Sequence, residues 1–286
     1  MFEDSNAIYG KLNEIEQSIA TKHEIQLFRF NGLDIPFSKH WKKVGINLSG
    51  GADSACLTYL LCKIITENNF DTKIDVITHV RCWTTRPWQQ PIGLRMYEKL
   101  KDMFPNIINQ RYENFIAPEL EHGVTGYIYE DPVYKKMHSG DQLSVYNFNK
   151  YVSYRYNFDA IFNATSKNPP IDFPKKMDNR DKDAKDGETR DLIISTEGQF
   201  LCHPFRFVDK SWIVAQYFYY GIEDLFNLTR SCEGDVTHKK IAPTIPNYQS
   251  YKPEMEVPEC GTCFWCLERD WALSQLDETL NKLKNE

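Results

Sequence analysis

The sequence has no apolar run near the roughly 20 residues that a membrane-spanning helix needs, so a transmembrane protein is not expected. Basic residues are not in excess either, because 34 Lys and Arg stand against 40 Asp and Glu, giving a formal net charge of −6. Proteins that bind nucleic acid mainly through phosphates are usually basic, so the charge does not favour a nucleic-acid partner. The first ten residues, MFEDSNAIYG, show no basic segment followed by an apolar run. We therefore expect no signal peptide, no membrane association and a cytoplasmic protein.

The composition does supply the material of a sizeable core. Of the 286 residues, 41% are hydrophobic and 26% are charged, which excludes wholesale disorder and fits one large domain or a domain with an appendage. We find no repeat of solenoid period. Three of the 8 cysteines lie too close together in sequence for an ordinary disulfide framework. In a reducing compartment such a group indicates a metal site.

The apolar pattern predicts alternating strands and helices. A short strand with Val44, Ile46 and Leu48 runs into a glycine turn, and a helix with an apolar side follows, which includes Ala55, Leu57, Leu60, Leu61, Ile64 and Ile65. A second strand over 74–80 and a helix over 94–103 come next, and later a Tyr-rich helix over 142–156 precedes a strand over 159–164. This order predicts an α/β fold with a Rossmann-like parallel sheet. An aromatic helix over 212–220 and a terminal helix over 265–283 complete the prediction.

We divide the chain into three regions on this basis. Residues 1–40 form an N-terminal extension with an amphipathic helix and a strand over 24–30, which we interpret as a packing flap. Residues 41–225 form the nucleotide-binding α/β domain, and within it the charged, proline-containing segment 169–190 is predicted to be a solvated loop or lid. Residues 226–286 form a small C-terminal zinc-binding region with helical character.

The hexapeptide Ser49-Gly-Gly-Ala-Asp-Ser54 has the features of a phosphate loop. Two glycines directly after a strand let the backbone turn its N–H groups toward an anion, and the following helix adds its positive end. Ser49 and Ser54 can donate to phosphate oxygens, while Asp53 can fix the loop or help to hold Mg²⁺. No Gly-Lys-Ser/Thr follows, which excludes the loop of kinase-type and GTPase-type proteins. The predicted ATP-binding residues are Leu48, Ser49, Gly50, Gly51, Asp53 and Ser54.

The segment Cys260-Gly-Thr-Cys263-Phe-Trp-Cys266 supplies three thiolates with two residues between neighbours. Structural Zn²⁺ takes four tetrahedral ligands, so a fourth must come from elsewhere. Cys232 is the first candidate, and His238 is the alternative. We expect one closed, structural zinc site, while an iron–sulfur cluster on the same residues is a second interpretation.

The other four cysteines are less informative. Cys56 and Cys62 lie on the helix after the loop and are predicted to be buried. For Cys82 and Cys202, the sequence allows both an inert thiol and a reactive one.

The loop resembles the PP-loop of the ATP pyrophosphatase superfamily. The loop and the cysteine tail together resemble the 7-cyano-7-deazaguanine (preQ0) synthase family, also called QueC or ExsB-like. Two more segments contribute to this resemblance. The part of the family between loop and tail is similar to Pro204, to Asp209-Lys210-Ser211 and to the segment Asn227-Leu-Thr-Arg-Ser-Cys232. The family's CGxCxxCxxR ending is similar to Cys260–Arg269. The resemblance covers roughly residues 43–275.

The resemblance implies an ATP-dependent enzyme that converts 7-carboxy-7-deazaguanine and ammonia into the nitrile of queuosine biosynthesis, releasing nucleotide and phosphate or pyrophosphate. It also implies ATP with Mg²⁺ as cofactor and a homodimer. Lys210 would contact the α-phosphate or the pyrophosphate, and Asp53 and Lys210 are the predicted catalytic residues. The chain differs from the family over 78–83 and 162–170, so a related small carboxylate, or one on a macromolecule, is an alternative substrate.

Several polar residues near predicted strand ends are assigned to the substrate side, because ligands of open α/β sheets gather at the carboxyl ends of the strands. They are Arg81, Arg86, Asn163, Thr165, Ser166 and Lys167. Two other functions remain open. One is a PP-loop tRNA-modifying enzyme of the thiolase or lysidine type, and the other is a degenerate nucleotide-binding scaffold that uses its zinc tail for protein contacts.

Overall fold

The computed structural model describes residues 14–80, 89–116, 140–169, 192–194, 200–232 and 259–285. Two sheets are present in these ranges. The strands, in chain order, are β1 (Gln26–Phe30), β2 (Leu33–Phe37), β3 (Lys43–Asn47), β4 (Lys73–Val80), β5 (Ile108–Phe115), β6 (Ala160–Phe162), β7 (Leu192–Ile194) and β8 (Phe200–Cys202). The helices are α1 (Glu14–Lys22), α2 (Ala52–Glu67), α3 (Gln89–Met103), α4 (Gly140–Tyr156), α5 (Lys210–Tyr219), α6 (Glu223–Leu228), α7 (Phe264–Ser274) and α8 (Leu276–Asn285), with a 3₁₀ turn at Pro204–Phe207.

The main sheet has the strand order β5-β4-β3-β6-β8-β7. Its first five strands are parallel, and β7 joins the edge antiparallel to β8. The chain leaves β3 toward β4 on one side and later returns to β6 on the other. The order therefore reverses between β3 and β6, which is where open α/β sheets bind their ligands.

The predicted βαβ pattern is confirmed, and the structure is an α/β fold with a parallel sheet. The strand predicted from Val44 and Ile46 is β3, and the helix after the glycine turn is α2, which buries most of its side chains. This helix packs between the sheet and helices α5 and α6, so it has no broad solvent face. No described helix is long and apolar enough to cross a bilayer.

Four described strands were not predicted. Strand β5, with the sequence INQRYENF, is mostly polar, and only its first residue is fully buried because the strand lies at the edge of the sheet. Strands β7 and β8 have three residues each, which is too few to show the alternation of apolar and polar residues that predicts a strand. Strand β2 contains Pro36, which argued against a strand but is tolerated in a two-stranded sheet. The single helix predicted over 265–283 is two helices, which are separated at Gln275.

The predicted strand over 24–30 is present as β1, which pairs with β2 in an antiparallel hairpin. The hairpin and the residues after it bury Phe37 and Trp41 completely, and Phe37 stacks on Phe162 of the central strand β6. Burying each such side chain is worth about 1.5–3 kcal/mol, so this segment is part of the core. The three-region division of the chain stays a prediction, as does the loop over 169–190, which lies outside the described residues apart from Pro169.

Candidate functional site

A cavity of about 300 Å³ opens at the carboxyl ends of β3 and β6, where the strand order reverses. It is lined by the phosphate loop, by the segment after β6, and by parts of α4, α5 and the cysteine-bearing tail. The lining residues are Asn47, Ser49, Gly51, Asp53, Ser54, Ile77, His79, Gln89, Val145, Asn163, Ala164, Thr165, Ser166, Lys210, Arg230, Ser231, Cys232 and Trp265. The volume suits a small ligand.

The loop between β3 and α2 holds itself in shape through its two serines. The backbone N–H of Ser49 donates to Ser54 Oγ at 3.1 Å, and the two hydroxyl oxygens lie 3.2 Å apart. The N–H of Gly51 donates to Ser49 Oγ at 3.3 Å, while Ser54 Oγ donates to the Gly51 carbonyl at 3.2 Å. These bonds fix the turn before any ligand arrives, which lowers the entropic cost of binding an anion.

The two glycines of the loop are required for different reasons. Gly50 has a φ of +82°, and a Cβ there would lie 2.6 Å from Ile92 Cγ2 and 3.2 Å from the backbone of Gly93. Gly51 has an extended backbone, but a Cβ would lie 2.8 Å from Ser231 Oγ. Gly51 is also the N-cap residue of α2, and no side chain caps that end of the helix. The first N–H groups of α2 therefore suit an anion in the cavity.

Lys210, the first residue of α5, is buried beside the loop. Asp209 caps this helix by accepting from the N–H of Ser211 at 2.9 Å, which sets where the helix begins. The Lys210 ammonium contacts Asp53 Oδ1, and Glu268 Oε2 lies 3.8 Å from Lys210 Nζ on the other side. The two predicted catalytic residues thus form an ion pair within the cavity.

The segment before Cys232 supports the loop from outside. The N–H of Arg230 donates to the Gly50 carbonyl at 2.9 Å, and Ser231 packs against Gly51. The Arg230 guanidinium donates to the Thr229 carbonyl at 2.7 Å and also lines the cavity. Any group that fixes residues 229–232 therefore also fixes the phosphate loop.

The four cysteines Cys232, Cys260, Cys263 and Cys266 come together, and all their Sγ atoms lie within 4.8 Å of one another. Two of the Sγ pairs, 260–266 and 232–263, are 3.9 Å apart. A tetrahedral ion with metal–sulfur bonds of about 2.3 Å needs sulfur atoms roughly 3.8 Å apart, so the cluster fits one metal ion. Sulfur atoms that each bind a different iron of a cluster must stand further apart. The alternative ligand, His238, lies outside the described residues.

The surroundings of the cluster also favour a cation. Burial raises the pKa of Cys266 to about 12, and the nearby Cys263 thiolate adds to this effect. The N–H of Cys263 donates to Cys260 Sγ at 3.3 Å, and the N–H of Cys260 donates to Cys232 Sγ at 3.4 Å. A bound metal ion would supply the positive charge that thiolates need in this partly buried place.

Arg269 fastens helix α7 to the segment that precedes Cys232. Its guanidinium donates to Thr229 Oγ1 at 2.8 Å and lies 3.9 Å from the centre of the Phe226 ring. Burial lowers the pKa of this guanidinium, and Glu259 partly offsets the effect. The cysteine cluster and Arg269 thus join the same two segments at separate points.

The residues predicted for the substrate side divide into three groups. Asn163, Thr165 and Ser166 line the cavity, with the Thr165 hydroxyl donating to Asn163 Oδ1 at 3.2 Å and Ser166 to Asp53 Oδ2 at 3.4 Å. Lys167 has an exposed side chain and does not line the cavity. Arg81 and Arg86 lie outside the described residues.

A polar network at the ends of β3 and β4 was not predicted from the sequence. The Asn114 amide donates to His79 Nδ1 at 3.1 Å, so the other ring nitrogen, Nε2, carries the proton. His79 Nε2 lies 3.0 Å from Asn47 Oδ1 and 3.2 Å from Asn149 Oδ1. Asn47 and His79 end adjacent parallel strands, and polar residues at the ends of apolar strands were the signal that could have identified them.

The remaining predicted residues have structural positions. Leu48 is fully buried, and its carbonyl accepts from the Thr78 hydroxyl at 3.1 Å. Cys56 and Cys62 are buried in α2, as predicted, and burial raises both thiol pKa values well above the ordinary range. Cys202 is also buried, while Cys82 lies outside the described residues.

The chain is therefore an α/β protein with a Gly-rich loop beside a cavity at the reversal of its parallel sheet, and with a four-cysteine cluster suited to a metal ion. No family model matches the sequence, and no curated protein matches it.

Several solved structures are similar to this chain at low sequence identity, among them the following three. A U34-tRNA thiolase with its [4Fe-4S] cluster from Methanococcus maripaludis has 12% identity and a TM-score of 0.40, over 86% of this chain and 72% of the other. An NMN synthetase from Francisella tularensis has 17% identity and a TM-score of 0.38, over 85% and 87%. An NAD+ synthetase from Burkholderia pseudomallei has 8% identity and a TM-score of 0.35, over 85% and 81%. These likenesses are too shallow to favour a reaction for this chain.

Proposed function

We propose that this protein is an ATP-dependent adenylating enzyme that splits ATP between its α and β phosphates. The supporting observation is the lysine-free loop at the reversal of the sheet, together with Asp53 and Lys210 in the same cavity. The loop and the uncapped start of α2 offer N–H groups to a diphosphate. The superfamily that the loop resembles binds the departing pyrophosphate in this way.

The first chemical step follows from this arrangement. An oxygen of the substrate carboxylate attacks the α-phosphorus, the bond from that phosphorus to the bridging oxygen breaks, and pyrophosphate leaves with the bond electrons. The loop N–H groups and the Lys210 ammonium stabilise the charge that collects on the leaving group. Binding both reactants in one cavity replaces an encounter in solution with an oriented contact.

Asp53 also fits a role in holding Mg²⁺. Its carboxylate faces the cavity, and oxygen ligands combined with substrate phosphates are what Mg²⁺ prefers. When bound there, the ion would neutralise part of the phosphate charge. Asp53 would then have two functions, to orient the ion and to orient Lys210.

The specific substrate that we propose is 7-carboxy-7-deazaguanine, with ammonia as the nitrogen donor, on the basis of the family resemblance. Ammonia attacks the acyl carbon of the adenylate, AMP departs, and the amide forms. A second ATP adenylates the amide oxygen with release of pyrophosphate, and loss of both nitrogen-bound protons together with AMP, which carries away that oxygen, gives the nitrile. A carboxylate oxygen is a poor leaving group and AMP is a good one, which explains the need for ATP in both stages.

We further propose that the four cysteines hold one zinc ion with a structural role. The sulfur spacing fits a single ion, and four protein ligands leave no position open for chemistry. A thiolase-type reaction with a cysteine nucleophile receives less support. Among the described cysteines only Cys232 lines the cavity, and it belongs to the cluster.

The test is to incubate the purified protein with ATP, Mg²⁺, ammonium and 7-carboxy-7-deazaguanine, and to identify the products by mass spectrometry. We expect AMP, pyrophosphate and the nitrile. AMP formation without the nitrile would retain the adenylating activity but refute this substrate. Release of ADP and phosphate, or no turnover with any of a panel of small carboxylates, would refute the adenylating activity.

A further inference from the structure

The Lys210 ammonium lies between two carboxylates on different helices. Asp53 of α2 contacts it directly, and Glu268 Oε2 of α7 lies 3.8 Å from Nζ. The side chain of Lys210 is 4% exposed and that of Glu268 is 1% exposed. Burying an ion pair is costly unless its geometry is well fixed, so such an arrangement needs a reason beyond stability.

The two carboxylates differ in their access to a ligand. Asp53 lines the cavity and has a side-chain exposure of 21%, and Ser166 donates to its other oxygen at 3.4 Å. Glu268 is not among the residues that line the cavity. A cation in the cavity therefore competes with Lys210 for Asp53, and a phosphate competes with Asp53 for Lys210, while Glu268 is left in place.

Glu268 is brought to this position by the C-terminal tail. Helix α7 begins directly after Cys263, carries Cys266 in its first turn, and is fastened by Arg269 to Thr229. One helical turn thus carries a member of the cysteine cluster, the carboxylate behind Lys210 and the arginine that fixes the helix.

We propose that Glu268 is a positioning residue that keeps the Lys210 ammonium directed at the phosphate loop when Asp53 turns to a ligand. The inference rests on the proposed function, because it assigns to Lys210 a contact with the pyrophosphate. Without Glu268, Lys210 would keep Asp53 as its remaining ion-pair partner among the described residues and would follow that side chain. With Glu268, the ammonium has a second fixed partner that the ligand does not reach.

A charge argument alone predicts the opposite effect of removing Glu268. If the carboxylate acted only as a negative charge near the cavity, its neutralisation would strengthen the binding of an anion. If it holds Lys210 in position, its neutralisation weakens that binding, because the ammonium loses its orientation. The sign of the change in pyrophosphate affinity therefore separates the two roles.

The experiment compares Glu268→Gln with the wild-type protein in two assays. The first is titration calorimetry with inorganic pyrophosphate and Mg²⁺, in which we expect Kd to rise about fivefold. The second is AMP release, in which we expect kcat to fall about tenfold, with KM for ATP changed by less than about twofold. Glu278→Gln, which removes an exposed carboxylate of the same tail that pairs with Lys282, is the control and should change neither value.

The dependence on Lys210 is tested by a double-mutant cycle. In a Lys210→Met background, Glu268→Gln should cause no further weakening of pyrophosphate binding. Glu268→Asp, which keeps the charge, should retain more affinity than Glu268→Gln at equal metal content and melting temperature. Unchanged or tighter binding in Glu268→Gln, or additive losses in the cycle, would overturn the inference. If the wild-type protein releases no AMP, the proposed function fails, and the binding assay still decides the role of Glu268.

Discussion

The two walls of the cavity are built in different ways. The phosphate wall consists of one continuous loop whose backbone is fixed by Ser49 and Ser54 and by close packing around Gly50. The rest of the lining, the strand-end wall, consists of side chains at or just after the ends of separate strands, among them Asn47, His79 and Asn163. The phosphate wall offers backbone N–H groups, which only a proline substitution would remove, whereas the strand-end wall offers side chains that can be exchanged singly.

This contrast indicates which wall suits the constant part of the ligands and which suits the variable part. A wall of backbone groups suits a ligand part that stays the same in every cycle, such as the diphosphate of ATP. A wall of neutral amides and an imidazole suits a part that differs between related enzymes, since each side chain contributes a separate hydrogen bond. We therefore expect substitutions in the loop to abolish function and substitutions in the strand-end wall to alter the affinity for the variable part of the ligands.

The largest effect is expected for Asp53→Ala, which removes the loop carboxylate that contacts Lys210 and accepts a hydrogen bond from Ser166. AMP release should fall about a thousandfold, because Lys210 loses its direct partner and the cavity loses its ligand for a cation. The melting temperature should change by only a few degrees, since Asp53 is partly exposed. Asp71→Ala, at an exposed carboxylate near Lys42, is the control. Normal turnover of the Asp53 variant would place the nucleotide elsewhere.

Removal of the metal should mainly lower stability. Chelation, or Cys263→Ser, leaves buried thiols without a cation and frees α7 from the segment that holds the loop. We expect a loss of several kcal/mol, which lowers the melting temperature by roughly 10 °C. Calorimetry with and without a chelator measures this effect. An unchanged melting curve for metal-free protein would contradict a structural role of the cluster.

Two glycines with positive φ allow the packing of the phosphate wall to be measured. Gly50→Ala adds a Cβ that meets Ile92 and the backbone of Gly93, whereas at Gly221, with a φ of +65°, nothing lies within 4 Å of the Cβ. Backbone strain should cost about 1–2 kcal/mol in both variants, and overpacking should add about 1–3 kcal/mol at Gly50 only. Denaturant unfolding compares them. Equal losses would show that the loop is not tightly packed.

The smallest effect on catalysis is expected from a substitution in the strand-end wall. Asn163→Ala removes one neutral hydrogen-bonding side chain from the cavity, so KM for the carboxylate substrate should rise about tenfold, with KM for ATP unchanged. Lys167→Ala, four residues further along and outside the cavity, should leave both constants as they are. Steady-state kinetics with each substrate varied in turn provides the test. A selective change in the ATP constant would reverse the assignment of the two walls.

The parts of the fold that could be predicted are those with strong local patterns. Strands β3 and β4 and helix α2 are strongly apolar segments, a glycine turn separates β3 from α2, and all three were predicted near their observed bounds. Strand β5 could not be predicted, because at the edge of the sheet its residues are mostly half-buried and polar. The fourth cysteine was predicted as one of two candidates, since spacing restricts the three cysteines of the tail and not a ligand that is distant in sequence.

The sequence by itself determined the phosphate loop, the α/β pattern and the three cysteines of the tail, because each depends on residues within a few positions of one another. The tertiary structure decided that Lys210 is buried between Asp53 and Glu268, that Cys232 completes the cluster, and that His79 lines the same cavity as the loop. These contacts join residues that are distant in sequence, 157 positions apart for Asp53 and Lys210 and 28 for Cys232 and Cys260. Local propensity carries no information about such pairs, and only the packing of the whole chain brings them together.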